Sequence, residues 1–327
     1  MKIIDAILHN YRMNKKCNDI IKYSVKNSVV LEKSEEFDLI SEMATENNVE
    51  TTIEIMDITA EKSAMLYNGD DVSILNFASF KTPGGGFMKG STAQEESLCH
   101  NSTLYQVLRH FKSLYIKNRK YVNNGLYYDV GIFSPRIHFG EKVCNVLTVA
   151  APNYNEFSSA SVNRNIPSFI IKDKNNEVLR DRIDFVLNVL RYMKQKTIIL
   201  GAFGCGVFKQ HPSMVASIFK ELLETKYKNV FEKVIFAIPK SSDGNHDMFK
   251  YIFNHVTDYG NKKLKKYDIK LFNEKTKTTE TIYIAAENIS IASEAALFSI
   301  NNKGYIESII HRKDEYLTVE DIMLKKK

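Results

Sequence analysis

Two adjacent carboxylates, Glu95 and Glu96, follow closely on three consecutive glycines, Gly84, Gly85 and Gly86. Successive glycines carry no Cβ, so their backbone N–H groups can close on a phosphate or a sugar. A helix starting at about Ala93 would add unpaired N–H groups and a partial positive charge to the same place. A phosphate-friendly loop with two acids at its exit points to chemistry on a phosphorylated sugar. A plainer reading stands beside it. Ser91 with Gln94, and Thr92 with Glu95, have the spacing of capping boxes, and acids in a first helical turn are favoured by the dipole alone. The triple glycine resists that reading, because no hairpin pattern follows that would need it.

The elements that must position these residues are legible on either side. Residues 72–77 form an apolar run that reads as a buried strand, and residues 93–115 carry leucines and Phe111 at helical spacings. A second unit of the same kind lies further on. The strand 197–200 runs into Gly201, Ala202, Phe203, Gly204, Cys205, Gly206, Val207 and Phe208, and a helix begins near Ser213. Neither loop ends in G-K-[ST], and neither is G-x-G-x-x-G, so Walker and dinucleotide-type loops are excluded.

The rest of the chain supplies the frame. Strands are expected at 51–56, 125–133, 143–150 and 230–238, and helices at 60–67 (capped by Thr59), 183–193 and 248–255. Residues 155–178 read as irregular and polar. Continuous apolar strands alternating with helices predict an α/β domain with a central mixed sheet flanked by helices. In such sheets ligands bind at the carboxyl ends of the strands, where both glycine-rich loops fall. Residues 1–50 read as an N-terminal helical cap, including an amphipathic helix with Ile3, Ile4, Ile7, Leu8 and Tyr11 on one face. Residues 51–261 read as the main domain. Residues 262–327 read as a small accessory β-rich extension, with strands at 269–272, 281–285 and 304–310 and a short helix at 290–297.

Composition narrows the class. The chain has 327 residues, 44% hydrophobic and 26% charged, with a formal net charge of +6. No apolar run approaches the roughly 18 residues a membrane span needs, and the N-terminus does not read as a signal peptide. The four cysteines are scattered with no C-x-x-C pair, which fits a reducing, cytoplasmic setting and indicates no zinc or redox motif. Cys205 reads as a small residue in a tight loop. Lysines cluster at 262–266 and 325–327. They read as a solvated linker and a charged tail rather than a nucleic-acid surface.

Asn76 and Ser79 before the glycines, then Pro83 to Phe87, then Gln94, Glu95 and Glu96, resemble the microbial-type poly(ADP-ribose) glycohydrolases, whose hallmark is GGG, a short spacer and QEE. Residues 201–208 resemble the second ligand loop of that family, and the strand leading to Asp57, Ile58 and Thr59 resembles the entry of the wider macrodomain fold. The similarity spans about residues 50–260. It implies a macrodomain-like fold that binds ADP-ribose and hydrolyses the ribose–ribose O-glycosidic bond of poly(ADP-ribose). No metal-ligand cluster is visible in the sequence, so hydrolysis without a metal or cofactor is expected. Free ADP-ribose is the implied product. The implied partner is the polymer or an ADP-ribosylated macromolecule, with nucleic acid entering only as a modified substrate and no membrane involved.

The resemblance also implies roles. Glu96 would be the general acid for a bond that breaks through an oxocarbenium-like transition state, and Glu95 would hold ribose hydroxyls. Gly84, Gly85 and Gly86 would lie along the distal ribose and diphosphate, with Gln94 in the same motif. Gly204, Cys205 and Gly206, followed by Val207, would offer N–H groups to the diphosphate. Phe208 reads equally as a ring against the reacting ribose and as core packing. Asp57, beside Ile58, reads equally as an acceptor for the adenine amino group and as a helix cap. Asn76 and Ser79 border the crevice, although Asn76 also reads as a strand-end residue. His100 reads as structural. A helix N-terminus lowers a carboxyl pKa, which is wrong for an acid. Burial, the neighbouring Glu95 and a bound diphosphate would have to raise that of Glu96. Two rival functions share this scaffold. One is removal of single ADP-ribose units from protein or nucleic acid. The other is a non-catalytic ADP-ribose reader, against which the paired acids argue.

Overall fold

Strand β3 (Val72–Phe77) lies in the middle of the main sheet, buried along almost its whole length. In the computed structural model the described residues are 17–34, 49–162, 168–255, 264–286 and 304–317, with isolated positions at 4, 8, 12, 13, 15, 37 and 293. The expected N-terminal amphipathic helix, the helix at 290–297 and most of the lysine clusters fall outside these residues. The chain divides into two units, Met1–Ser241 with Asn245–Phe253, and Ser242–Gly244 with Asn254–Lys327.

The first unit holds a seven-stranded sheet in the order β1-β4-β5-β3-β6-β7-β2. Its other strands are β1 (Val29–Glu32), β2 (Thr52–Met56), β4 (Val130–Phe139), β5 (Lys142–Val149), β6 (Thr197–Leu200) and β7 (Lys233–Ala237). β5, β3, β6, β7 and β2 run parallel, while β4 pairs antiparallel with both β5 and β1. Ile74, Val146, Ile198, Ile199, Val234 and Ile235 are completely buried, as strands covered on both faces require. The parallel run brings the loops after β3, β5, β6, β7 and β2 to one edge. The loops after β3 and β6 are immediate neighbours there.

The helices of this unit are α1 (Asn18–Asn27), α2 (Ala60–Leu66), α3 (Gln94–Asn101), α4 (Leu104–Leu108), α5 (Lys112–Lys120), α6 (Tyr154–Val162), α7 (Ser168–Tyr192), α8 (Pro212–Glu224) and α9 (Asn245–His255). None of the described helices is long and apolar enough to cross a membrane. The second unit contains a three-stranded antiparallel sheet in the order β10-β8-β9, made of β8 (Leu264–Asn273), β9 (Thr278–Ala286) and β10 (Gly304–Leu317).

Four expectations need correction. Val29–Glu32, assigned to a helical cap, is an edge strand of the sheet, in keeping with two β-branched valines and a buried Leu31. The long helix at 93–115 is broken. Ser102 is extended, and its hydroxyl donates to Leu98 O and accepts from Leu104 N, so the side chain replaces the helical ladder. The described residues of the stretch at 155–178 are not irregular; they belong to α6 and the first part of α7. The buried face of α7 includes Asn175 and Arg182 among its apolar residues, which blunts the hydrophobic period. Residues 125–129 precede β4 as a turn with Tyr127 at positive φ rather than as strand.

Candidate active site

The expected capping boxes do not form. Ala93 is the N-cap of α3 and no side chain caps the helix. Gln94 and Glu95 instead turn towards the end of β3. The Gln94 carboxamide donates to Leu75 O at 2.8 Å and accepts from Phe77 N at 2.9 Å, as a further strand would. Gln94 therefore ties α3 to the sheet. That geometry makes it a positioning residue.

Glu95 is 3% exposed and Glu96 7%. Glu95 Oε2 accepts from Ser79 N at 2.7 Å, and Oε1 accepts from Asn76 Nδ2 at 3.3 Å. The same Asn76 amide donates to Thr148 Oγ1 on β5. Asn76 is thus a buried partner of the acid rather than a strand-end residue pairing backbone. Glu96 Oε1 accepts from Gly86 N at 2.7 Å. Its other oxygen makes no hydrogen bond among the described residues.

The glycines explain this closeness. Gly85 has φ +57°, and a Cβ there would lie 2.5 Å from Glu96 Oε1 and 2.9 Å from Glu95 Oε2. A Cβ on Gly84, at φ +69°, would strike the Tyr105 ring at 2.6 Å. The triple glycine lets backbone lie directly on two carboxylates and one aromatic ring.

Burial pushes the Glu95 carboxyl up to about 8. The Ser79 N–H and Asn76 amide act in the opposite direction, and the neighbouring Glu96 charge adds to the rise. Desolvation wins, so Glu95 holds a proton at neutral pH.

The second glycine-rich loop starts from Gly201, where a Cβ would meet the Phe77 ring and Ala237 O. Cys205 N donates to Ala202 O at 3.1 Å, so this N–H closes a turn instead of pointing outward. Gly206 faces open space and Val207 is 72% exposed. Phe208 is half-buried against Tyr127, with ring centroids 6.1 Å apart. Tyr127 also stacks on Phe80 at 4.2 Å. Phe80 and Tyr127 are buried in one cluster with Ala78, Val130 and Ala150, and Phe208 packs against it. Asp57 and Ile58 follow β2, three strands from β3 on the same edge. Asp57 is exposed, and its Oδ1 accepts from Lys240 N at 2.7 Å, so it binds the loop after β7 rather than capping α2. Thr59, the N-cap of α2, makes no side-chain cap bond. His100 lies on α3 beyond the acids, with its ring 6.1 Å from that of Phe87.

Several positioning residues were not anticipated. Gln210 donates to Pro152 O at 2.7 Å and exchanges hydrogen bonds of 2.8 Å in both directions with Asn175. Gln210 N donates to Gly204 O, and a Cβ on Gly204 would touch both Gln210 and Ala151. Arg182, 1% exposed, bonds Asp129, Ala150 O and Leu126 O. One polar face of α7 therefore fixes the ends of both loops beside the second glycine stretch. Nothing local in the sequence marks Asn175, Arg182 and Gln210, all buried in the structure, for this role. None of the four cysteines forms a disulfide.

Paired buried carboxylates on a glycine loop, at the carboxyl edge of a mostly parallel sheet, define a site of the glycosidase class. The comparisons agree with it. The model of the microbial-type PARG catalytic domain matches residues 5–140. The crystal structure of poly(ADP-ribose) glycohydrolase (PARG) from Deinococcus radiodurans in complex with ADP-ribose matches with a TM-score of 0.64 and 28% identity, covering 72% of this chain and 98% of that one. The Thermomonospora curvata enzyme matches with a TM-score of 0.63 and 30% identity, covering 71% of this chain and 88% of that one. No curated protein sequence matches the chain. The chain belongs to the microbial-type poly(ADP-ribose) glycohydrolase family, and it is a hydrolase of the glycosidase type.

Proposed function

We propose that the protein hydrolyses the ribose–ribose O-glycosidic bond of poly(ADP-ribose) and releases ADP-ribose, with Glu96 as general acid and then general base. The observation that carries this reading is the asymmetry of the two acids. Both oxygens of Glu95 are held, by Ser79 N–H and Asn76, whereas Glu96 is held through one oxygen only. Glu96 can therefore present an oxygen to the leaving group while Gly86 N fixes its plane. Glu95, neutral at working pH, donates its proton to a ribose hydroxyl and orients the sugar.

In the first step the bond from the anomeric carbon to the leaving oxygen breaks, and that oxygen takes the Glu96 proton. Water then adds to the oxocarbenium-like carbon and gives a proton to the Glu96 carboxylate, restoring the acid. Gly84, Gly85 and Gly86 lie along the ribose and diphosphate. Gly204, Gly206 and Val207 offer backbone to the diphosphate, and Phe208 with Tyr127 packs against the sugar. Asp57, through the oxygen not bound to Lys240, accepts from adenine beside Ile58. Three strand spacings, roughly 14 Å, separate β2 from β3, which suits an elongated ligand with a base at one end and the reacting ribose at the other. The activity is assigned to a macrodomain-like region, residues 51–261, with 262–327 as an accessory extension. Four cysteines outside any disulfide favour a reducing compartment such as the cytoplasm.

The test is product analysis after incubation with poly(ADP-ribose). Wild type should release ADP-ribose, and Glu96→Gln should lose about 10²–10⁴-fold in rate, the usual contribution of a positioned acid. A protein that binds ADP-ribose but leaves polymer intact would be a reader or a mono-ADP-ribosyl hydrolase. A Glu96→Gln protein as active as wild type would remove Glu96 from the chemistry.

A further inference from the structure

The only acids between Asp71 and Asp129 are Glu95 and Glu96, against seven Lys and Arg. Over the whole chain the two signs are nearly balanced, 45 against 39, so this stretch is unusual. Both of its acids are buried in the catalytic site. What it shows to solvent is therefore cationic only.

The fold gathers these charges around one loop. Arg119, near the end of α5, donates to Lys81 O at 2.8 Å, and Asn118 donates to Phe80 O at 3.0 Å. The loop so held carries Ser79, whose N–H binds Glu95. On the other side Tyr105 covers Gly84 and packs 4.7 Å from Phe87, and Arg109 lies close enough to Tyr105 to act on its hydroxyl. Lys89 ends the short 3-10 turn after Phe87. Lys112 and Lys120 mark the two ends of α5. Lys89, Lys112 and Lys120 are exposed and enter no ion pair among the described residues. Lys117 and Lys81, by contrast, are already paired, with Glu32 at 2.7 Å and with Glu156 at 3.0 Å. Two bulky apolar side chains, Ile116 and Tyr121, are exposed on and next to α5, at 49% and 61%.

We propose that the surface of α5 and of the loop 80–90 is a docking track for the ADP-ribose units of the polymer that adjoin the reacting one. Their diphosphates would lie on Lys89, Lys112, Arg119 and Lys120, and an adenine would stack on Tyr121. The proposal rests on the polymer reading given above. Each unit of the polymer carries a diphosphate, so a substrate longer than one unit presents a repeating anion. A surface holding spare cations beside the acids complements that repeat. Free ADP-ribose, filling only the crevice, would not reach it.

The test uses the full chain carrying Glu96→Gln, which keeps the bound polymer intact. Its affinity for ADP-ribose and for a defined ten-unit polymer is measured at 50–200 mM NaCl, with and without Lys89→Gln, Lys112→Gln and Lys120→Gln together. The three exposed substitutions are expected to alter stability little, about 0.5 kcal/mol or less each, which thermal melts check. Polymer affinity should fall at least about tenfold at low salt, and the slope of log K against log[salt] should lessen by about 2, the release expected for three lost phosphate contacts. Affinity for ADP-ribose should stay within twofold. Unchanged polymer binding in the triple variant overturns the track, as does an equal loss for monomer and polymer. A single-stranded oligonucleotide of matched charge that binds as tightly as polymer overturns it too, in favour of a general polyanion surface. Failure of the parent to bind either ligand overturns this inference together with the function it rests on.

Discussion

Glu95→Gln should change the pH dependence of stability more than any other conservative substitution in the site. The Glu95 carboxyl rises from 4.5 to about 8 in the fold, mainly through burial. A raised acid is favoured in the folded state only while protonated. Its stabilising contribution is complete below the unfolded pKa, falls as pH climbs, and is exhausted above about 8. Between those limits the unfolded chain has already lost the proton that the folded chain keeps, so each pH unit costs ~1.4 kcal/mol. From pH 5 to pH 8 the total is roughly 4 kcal/mol, a large share of the about 5–15 kcal/mol that holds a typical domain together. Glutamine does not titrate, so the variant lacks this slope. It carries a constant penalty instead. One orientation of the amide sets its NH2 against Ser79 N–H, and the other sets it against the Asn76 Nδ2, so about 1–3 kcal/mol is lost at every pH. Urea denaturation of both proteins at half-unit steps from pH 5 to pH 9 separates the two effects. The difference in unfolding free energy should favour wild type at pH 5 and shift by roughly 4 kcal/mol towards the variant by pH 8. Titrations of groups distant from Glu95 cancel in that difference. A difference that stays constant within about 1 kcal/mol over this range would refute the argument that desolvation outweighs the two hydrogen bonds.

Gly85→Ala should leave a folded protein with little activity. The left-handed φ alone costs an alanine about 1–2 kcal/mol, and its methyl would occupy the space of both carboxylates. Circular dichroism should be unchanged while glycohydrolase rate falls at least about a hundredfold, the scale expected when catalytic groups are displaced by an ångström. Asn175→Leu should leave Gln210 Oε1 without its partner and Nε2 with Pro152 O alone, and release the loop after β6, with a loss of about 1–3 kcal/mol in chemical denaturation. ADP-ribose binding should weaken in the same variant. The exchanged pair Asn175→Gln with Gln210→Asn, which keeps the summed length of the two amides, should regain most of that binding.

How far the fold could be read depended on where each residue finds its partner. The runs at 72–77, 197–200 and 233–237 were legible because a strand covered on both faces is apolar throughout, whatever it packs against. α7 was half-missed because Asn175 and Arg182 are polar by type and buried by virtue of partners 35 and 32–56 residues away. Local pattern carries no trace of those partners. Ser102 failed in the opposite sense. The apolar period runs through it, yet a hydroxyl satisfying two backbone groups stops the helix.

The structure gives the triple glycine a second reason beyond an open backbone, its close approach to Glu95 and Glu96. A triple glycine was read as backbone open to a phosphate. That accounts for a loop that binds, but it does not say which glycine is indispensable. The geometry does. Gly86 offers its N–H to Glu96, which any residue except proline could do, but at an ordinary φ its Cβ would press on one side chain alone, 2.3 Å from Ser91 Oγ. Gly85 is different, because its conformation and both of its neighbours exclude a side chain at once. The motif couples glycines and glutamates across ten residues for a physical reason. The two acids can be buried this deeply against the loop only if the chain lying against them has no Cβ.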